Sequence, residues 1–239
     1  VLIVLTLLFL TPLFYYLPQT ILASVIMVAV FGLIDFKEPI HLWKANRTDF
    51  WMLIVTFIAT LTLGIEQGIG IGVILSLAMV IFRTTRPHVA ELGKVPGTNY
   101  YRNVDRFRTV EDRPDLLILR FDAQLYFANI NYFKETIEDL VAKKGEALKT
   151  VILNAESINS MDSSAVHAVE EIVEELREQG IKVMFSGVKG PVRDAMKKGH
   201  LTEEIGEECF FMTVQEAVDF HDEQISNPQY QQYTLQNNV

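Results

Sequence analysis

Nine consecutive residues, Ser157-Ile158-Asn159-Ser160-Met161-Asp162-Ser163-Ser164-Ala165, bring together four hydroxyls, an amide and a carboxylate. An apolar run at Val151–Leu153 precedes them and an amphipathic run follows, so the segment reads as a strand-to-helix turn. There Asp162 or Ser163 can cap the helix by accepting a hydrogen bond from a free first-turn amide. A phosphate on Ser163 or Ser164 would face the positive end of the helix dipole and add up to about two negative charges. Two readings therefore stand, a regulatory phosphosite and a plain helix cap, and spacing alone favours the cap. His167 lies one turn beyond the serines, but no third group orients it as a triad would require. No catalytic residue is assigned and no enzyme is expected.

The other isolated ionisable group is Glu66, inside an apolar stretch and surrounded by Gly64, Gly68, Gly70 and Gly72. An intramembrane carboxylate is a functional candidate. A solvated carboxylate at a turn between two short helices is the simpler alternative, and the glycines suit close helix packing or a backbone break. Cys209 is the only cysteine, the five histidines are scattered, and no HExxH or CxxC spacing occurs. No metal or other cofactor is expected. Gly187-Val188-Lys189-Gly190 lacks the spacing and the Lys-Ser/Thr ending of a phosphate loop.

The elements that position these residues fall into two halves that need different solvents. Val1–Leu17 is apolar and closes on Pro18, and Gln19–Ile34 is a second apolar run. Asp35–Asp49 is polar and carries Lys37, Lys44 and Arg47; Phe50–Phe82 is apolar again. A spanning helix needs about 20 apolar residues, so the last stretch is too long for one crossing and barely enough for two. Lys and Arg concentrate on the cytoplasmic side of short loops. Lys37/Lys44/Arg47 and Arg83/Arg86 share a side only if Phe50–Phe82 crosses twice, turning near Glu66. The expectation is about four short transmembrane helices over residues 1–83, with the soluble part inside the cell. The chain opens with Val inside an apolar run, with no basic flank or cleavage pattern, so it reads as a piece of a longer protein and not as a signal peptide.

Beyond Arg83 the chain reads as a small α/β domain: strands near Tyr100, at Leu116–Phe121, Val151–Leu153, Lys182–Ser186 and Cys209–Met212 alternate with helices. Helices are expected over 131–144, over 164–179 with Val166, Val169, Ile172, Val173 and Leu176 on one face, and over 191–198. A last helix opens at the capping box Thr213-Val214-Gln215-Glu216. Residues 84–97 are expected as linker, 98–224 as the domain, and 225–239 as a disordered tail. Through residue 94 the chain holds six Lys/Arg and five Asp/Glu; beyond it, fifteen and twenty-five. So acidic a soluble half is a poor partner for nucleic acid.

Leu17-Pro18-Gln19-Thr20-Ile21-Leu22-Ala23, then Ala29-Val30-Phe31-Gly32-Leu33-Ile34-Asp35, then Phe50-Trp51 through Leu63-Gly64-Ile65-Glu66-Gln67-Gly68-Ile69-Gly70-Ile71-Gly72-Val73, resemble the late transmembrane region of the sulfate permease (SulP) family. Arg120-Phe121-Asp122-Ala123-Gln124-Leu125-Tyr126-Phe127-Ala128-Asn129 resembles the first core motif of that family's STAS domain, and Asp162-Ser163-Ser164 sits at its regulatory signature. Many STAS domains carry Gly after the serine pair, where this chain has Ala165. The resemblance implies a multi-pass inner- or plasma-membrane transporter of sulfate- or bicarbonate-like anions, working as an H⁺ or Na⁺ symporter or as an exchanger. Its fourteen helices would form two inverted seven-helix repeats, of which this chain would hold the last four, with a cytosolic STAS domain behind them. It also implies a homodimer in the lipid bilayer and a cytosolic protein partner for the STAS domain. The family's anion site lies upstream of Val1, so no substrate-binding residue is carried over. A membrane-tethered signalling module is the alternative, weakened because an anchor needs only one helix.

Overall fold

The computed structural model describes residues 3–5 and 18–226. Apart from residues 3–5, the expected first helix over Val1–Leu17 lies outside the described residues, as do residues 227–239 of the expected tail. The chain divides into two compact units, Val1–Ala78 and Met79–Val239.

In the first unit, α1 (Gln19–Leu33), α2 (Lys37–Ala45), α3 (Arg47–Leu63) and α4 (Ile65–Thr85) follow in order. Asp35 Oδ1 accepts the amide of Lys37 at 2.8 Å and starts α2 inside the stretch expected to be merely polar. Asn46 caps α3 by accepting the Thr48 amide at 3.0 Å. Gly64 ends α3 at φ +99, a conformation side-chain-bearing residues rarely adopt. The helices expose apolar side chains around their circumference, as Val28 and Leu33 show at 74% and 83% exposure, and α1 buries none of its residues. By length and composition two segments suit a bilayer: Gln19–Ala45, whose apolar part is α1 before the bend at residues 34–36, and Ile65–Thr85. Alone, α1 has 15 residues and α3 has 17; at 1.5 Å per residue they reach about 22 and 26 Å, short of a ~30 Å hydrocarbon core.

The pair α3–α4 forms a hairpin. A Cβ placed on Gly68 would stand 2.5 Å from the Thr60 Cα, and one on Gly72 would stand 3.0 Å from the Thr56 Cγ2. Residues 60/68 and 56/72 thus face each other across Gly64, so the chain runs out along α3 and returns along α4. That break lies two residues before Glu66, where the charge argument put the turn.

The second unit is a six-stranded mixed sheet in the order β2-β1-β3-β4-β5-β6: β1 (Val89–Lys94), β2 (Tyr101–Asn103), β3 (Leu116–Phe121), β4 (Thr150–Asn154), β5 (Lys182–Ser186) and β6 (Phe210–Phe211). From β3 to β6 the neighbours are parallel, and β1 runs antiparallel to both β2 and β3. The crossovers are α5 (Ile130–Lys144), α6 (Ser163–Glu178) and the pair α7 (Gly190–Lys198) and α8 (Leu201–Ile205); α9 (Val214–Ser226) closes the domain. On α6 the five expected apolar residues and Ala165 are all buried. Phe121 meets Phe133 edge-on at 5.1 Å, and Phe185 stacks on Phe210 at 5.4 Å, filling the space between sheet and helices. The expected capping box forms with a shift: Thr213 Oγ1 accepts the Glu216 amide at 3.2 Å, while Glu216 reaches back to the Met212 amide at 2.9 Å.

One expectation is corrected. Residues 89–94, read as linker, are strand β1, which leaves only residues 86–88 between α4 and the sheet. The apolar pattern there is broken by Glu91 and Gly93, whose roles are set by distant residues. Glu91 is 6% exposed and pairs with Lys144 at 2.8 Å, and Gly93 lies against the Glu111 carbonyl. Residues 225 and 226 likewise belong to α9, not to a tail.

The other end of the domain is closed by a polar network. Buried His221 on α9 bonds the Thr150 hydroxyl through Nδ1 at 2.8 Å and Asp115 Oδ2 through Nε2 at 3.1 Å. Ionised Asp115 only accepts, so the Nε2–H donates to it, and in the neutral imidazole Nδ1 then accepts from the Thr150 hydroxyl. Arg113 donates to both Asp115 oxygens, at 3.0 and 2.6 Å. The Arg113 guanidinium holds the Asp115 carboxyl well below the usual carboxylate range; burial opposes this and the His221 bond adds to it. A depressed carboxyl contributes stability above its unfolded value near 4, and that stability is lost as pH falls through the lower folded value. Asp115→Asn is therefore expected to be less stable than the parent at pH 7, with the gap closing on acidification. Urea unfolding of the isolated domain, residues 84–226, at neutral and acid pH checks this; a gap that widens in acid contradicts it.

Candidate functional site

The loop after β4 and the loop after β3 meet at the carboxyl ends of the parallel strands, and the two motifs singled out in the sequence are stitched together there. Leu125 donates its amide to the Ser160 carbonyl at 3.1 Å, and the Asp162 amide donates to the Leu125 carbonyl at 3.3 Å. Asp162 Oδ1 accepts the Ala165 amide at 2.8 Å, which is the cap of α6, and Oδ2 accepts the Phe127 amide at 2.9 Å. Ser160 Oγ donates to Gln124 Oε1 at 3.0 Å, and Ser157 Oγ to Asp122 Oδ1 at 3.2 Å. Asn129, fully buried, accepts the Tyr126 amide and donates to the Gln124 carbonyl, which fixes the shape of the first loop. Asp162 is thus both a helix cap and a clamp between loops.

Ser163 and Ser164 are the first two residues of α6, and both are exposed. Phe127 is 71% exposed although its amide is held by Asp162. A hydroxyl at Ser163 or Ser164 is open to a modifying enzyme, and a phosphate there would sit by the positive end of a 16-residue helix. His167 turns away from the serines: its Nδ1 lies 3.2 Å from Glu170 Oε2 and its Nε2 3.5 Å from Glu171 Oε1. Its hydrogen bond to Glu170 raises its pKa, and both ring nitrogens are directed at carboxylates and not at a serine hydroxyl. Glu66, in the other unit, is exposed in the first turn of α4, where the helix dipole favours a carboxylate.

A second cluster adjoins the stitched loops. Asp122 receives Nε and Nη2 of Arg120 at 2.6 and 3.0 Å, His88 Nδ1 stands 2.8 Å from it, and its amide donates to the His88 carbonyl at 3.0 Å. Burial pushes this carboxyl up, but Arg120, His88 and Ser157 outweigh it and hold it below its ordinary value. Residues two apart on a strand share a face, so Arg120 and Asp122 at the end of β3 were a readable pair. His88 was hidden in the supposed linker.

Asp162→Ala is expected to cost about 1–2 kcal/mol, the range for a lost helix cap with a buried-side donor released. Asp162→Asn should recover only part of that loss: its amide oxygen can still cap α6, but its NH2 group cannot accept the Phe127 amide. Urea midpoints of the isolated domain compare the two; equal losses would refute the capping role.

The STAS domain profile matches residues 108–217, and the Sulfate permease family profile matches residues 1–56. Probable sulfate transporter 4.2 of Arabidopsis thaliana is 39% identical over 222 residues, covering 89% of this chain and 33% of that protein. High affinity sulfate transporter 2 of Stylosanthes hamata is 35% identical over 226 residues, covering 91% and 34%. The chain therefore spans about a third of the length of the curated relatives it matches. Among solved structures, the murine Slc26a9 anion transporter in its inward-facing state shares the fold with a TM-score of 0.77 at 23% identity, over 92% of this chain and 36% of that one. The chain thus joins a segment matching the Sulfate permease family profile to a STAS domain, and it is similar to sulfate transporters through nine-tenths of its own length.

Proposed function

We propose that the whole protein is a secondary transporter of sulfate, an integral membrane protein in which this chain supplies late helices and a cytosolic STAS domain. The observation that carries the reading is similarity to proteins named sulfate transporters over nine-tenths of the chain, through both units. Bicarbonate remains an alternative anion, with H⁺ or Na⁺ as coupling ion. The domain limits become 1–85 for the helices and 89–226 for the STAS domain. Orientation follows from charge. Lys37 and Lys44 precede α3, Arg47 opens it, and Arg83 and Arg86 close α4; the hairpin returns the chain to the side it left, so the bias of basic residues makes that side cytoplasmic. The stitched loops with Ser163 and Ser164 are then a cytosolic face for a regulatory protein, and Glu66 lies at the opposite end of the hairpin. The transporter assembles as a homodimer.

Uptake of radiolabelled sulfate into proteoliposomes holding the intact protein, with unlabelled sulfate and bicarbonate as competitors, tests the substrate. Saturable uptake competed by sulfate is expected, and no uptake or exchange with either anion overturns the assignment. Single cysteines at Lys44 and Asn99 should label from the same side of the membrane; opposite sides refute the topology.

A further inference from the structure

Helix α2 lies between α1 and α3 but has a different character from either. Its Pro39 and Leu42 are half-buried, while Phe36, Ile40 and Trp43 form a stripe exposed by 68%, 60% and 46%. The spacing i, i+4, i+7 puts these three on one helical face. Lys37, His41 and Lys44 repeat the same spacing one residue on, which is about 100° around the helix. Neither lysine has an ion-pair partner among the described residues. Of the nearby acids, Asp35 accepts the Lys37 amide and Asp49 accepts the Asn46 side-chain amide at 2.8 Å, while Glu38, in the first turn of α2, is exposed. The Arg47 guanidinium lies over the Trp43 ring, 5.4 Å from its centre, and Phe50 meets that ring edge-on at 4.9 Å.

We infer that α2 lies in the membrane–water interface and binds anionic phospholipid headgroups through Lys37, Lys44 and Arg47, with Phe36, Ile40 and Trp43 seated among the upper acyl chains. The inference rests on the membrane reading of α1, α3 and α4. Three observations select a lipid over a protein occupant. The helix occupies the point where the chain leaves one apolar rod and enters the next, which is headgroup depth. A tryptophan held by a cation suits a site that is apolar on one side and wet on the other. A basic stripe flanking an apolar one complements a layer of phosphates above acyl chains.

The chain has two tryptophans, Trp43 and Trp51, so each can be read alone. The whole chain is reconstituted in nanodiscs of phosphatidylcholine with phosphatidylglycerol, and fluorescence is measured in Trp51→Phe and, separately, in Trp43→Phe. Trp43 should be quenched more by a spin label near the headgroup than by one deep in the acyl chain. A label on phosphatidylglycerol should quench it more than one on phosphatidylcholine, and high salt should reduce that preference. Lys37→Gln with Lys44→Gln should lower the preference by roughly tenfold or more, since each lysine near an anionic surface contributes about fivefold. Quenching of Trp43 by aqueous iodide but not by lipid overturns the inference. So does protection from both, which would mean that protein covers the face. Trp51, on α3, controls for the underlying reading: if lipid labels quench Trp51 but not Trp43, only the interfacial assignment fails, and if they quench neither, the membrane assignment of the helices fails with it.

Discussion

Lys144→Met should lower the stability of the STAS domain by about 3 kcal/mol, the low end of the range for removing one partner of a buried ion pair. The Lys144 side chain is 7% exposed and its ammonium is 2.8 Å from Glu91 Oε1, with Asp112 as its second carboxylate. It also donates to the Arg113 carbonyl at 2.8 Å. Burial pushes the Lys144 pKa down, but its bonds to Asp112 and Glu91 more than offset this, so it is held above its ordinary value. Methionine fills a similar volume, so packing is largely kept while Glu91 is left at 6% exposure without its main partner. The loss stays at the low end because Lys143 remains 3.3 Å from Glu91, and because Asp112 is half-exposed and can be solvated. For a domain of this size the drop corresponds to roughly 10 °C in thermal midpoint. Changing both partners, Glu91→Leu with Lys144→Met, should recover to within about 1 kcal/mol of the parent, since an apolar pair avoids both desolvation costs. Thermal melts of the isolated domain decide: a double variant as unstable as Lys144→Met alone would mean that the deficit is packing and not uncompensated charge.

That ion pair also shows which parts of the fold were legible in the sequence. Helix α6 could be read residue by residue, because its apolar stripe is a local pattern and every member of it is buried. Strands β3 and β5 were legible for the same reason. Strand β1 was not: its central Glu91 looks like a surface residue until Lys144, on a helix far along the chain, is placed beside it. The candidate site divides in the same way. The cap at Asp162 was readable from its position before an amphipathic run. Its second bond, to the Phe127 amide, was not, because it spans two loops brought together only by the parallel pairing of β3 and β4. In the helical unit, overall apolarity was plain, but α2 was masked by its polar composition. The signal that was present, Phe36/Ile40/Trp43 at helical spacing, is a three-residue pattern inside a stretch that alternates charge and aromatic.

Gly68→Ala should disrupt the α3–α4 hairpin, at a cost of about 3 kcal/mol or more, the upper part of the range for forcing added volume into a close-packed contact. The new Cβ would stand 2.2 Å from the Thr60 Oγ1 and 2.5 Å from its Cα. Rotating the Thr60 side chain relieves the first clash but not the second, which is with backbone, so the two helices must separate. Thr60 Oγ1 also donates to the Thr56 carbonyl at 2.8 Å, which ties the side chain to its own helix and limits its escape. Helix association in lipid draws on close packing and not on hydrophobic burial, so a separated pair loses most of what holds it. Gly70→Ala is the matched control, since nothing lies within 4 Å of its would-be Cβ. It should be neutral or slightly stabilising, as alanine is the better helix former. The measurement is the thermal midpoint of the detergent-solubilised chain, followed by cross-linking between cysteines placed at Thr56 and Gly72. Expected is lost cross-linking and a lowered midpoint for Gly68→Ala, with both retained for Gly70→Ala. The contrast is specific to a hairpin: if Phe50–Phe82 were one continuous helix crossing once, Thr60 and Gly68 would lie about 12 Å apart along its axis. Neither alanine would then meet a neighbouring backbone, and the basic residues at the two ends of the stretch would lie on opposite sides of the membrane.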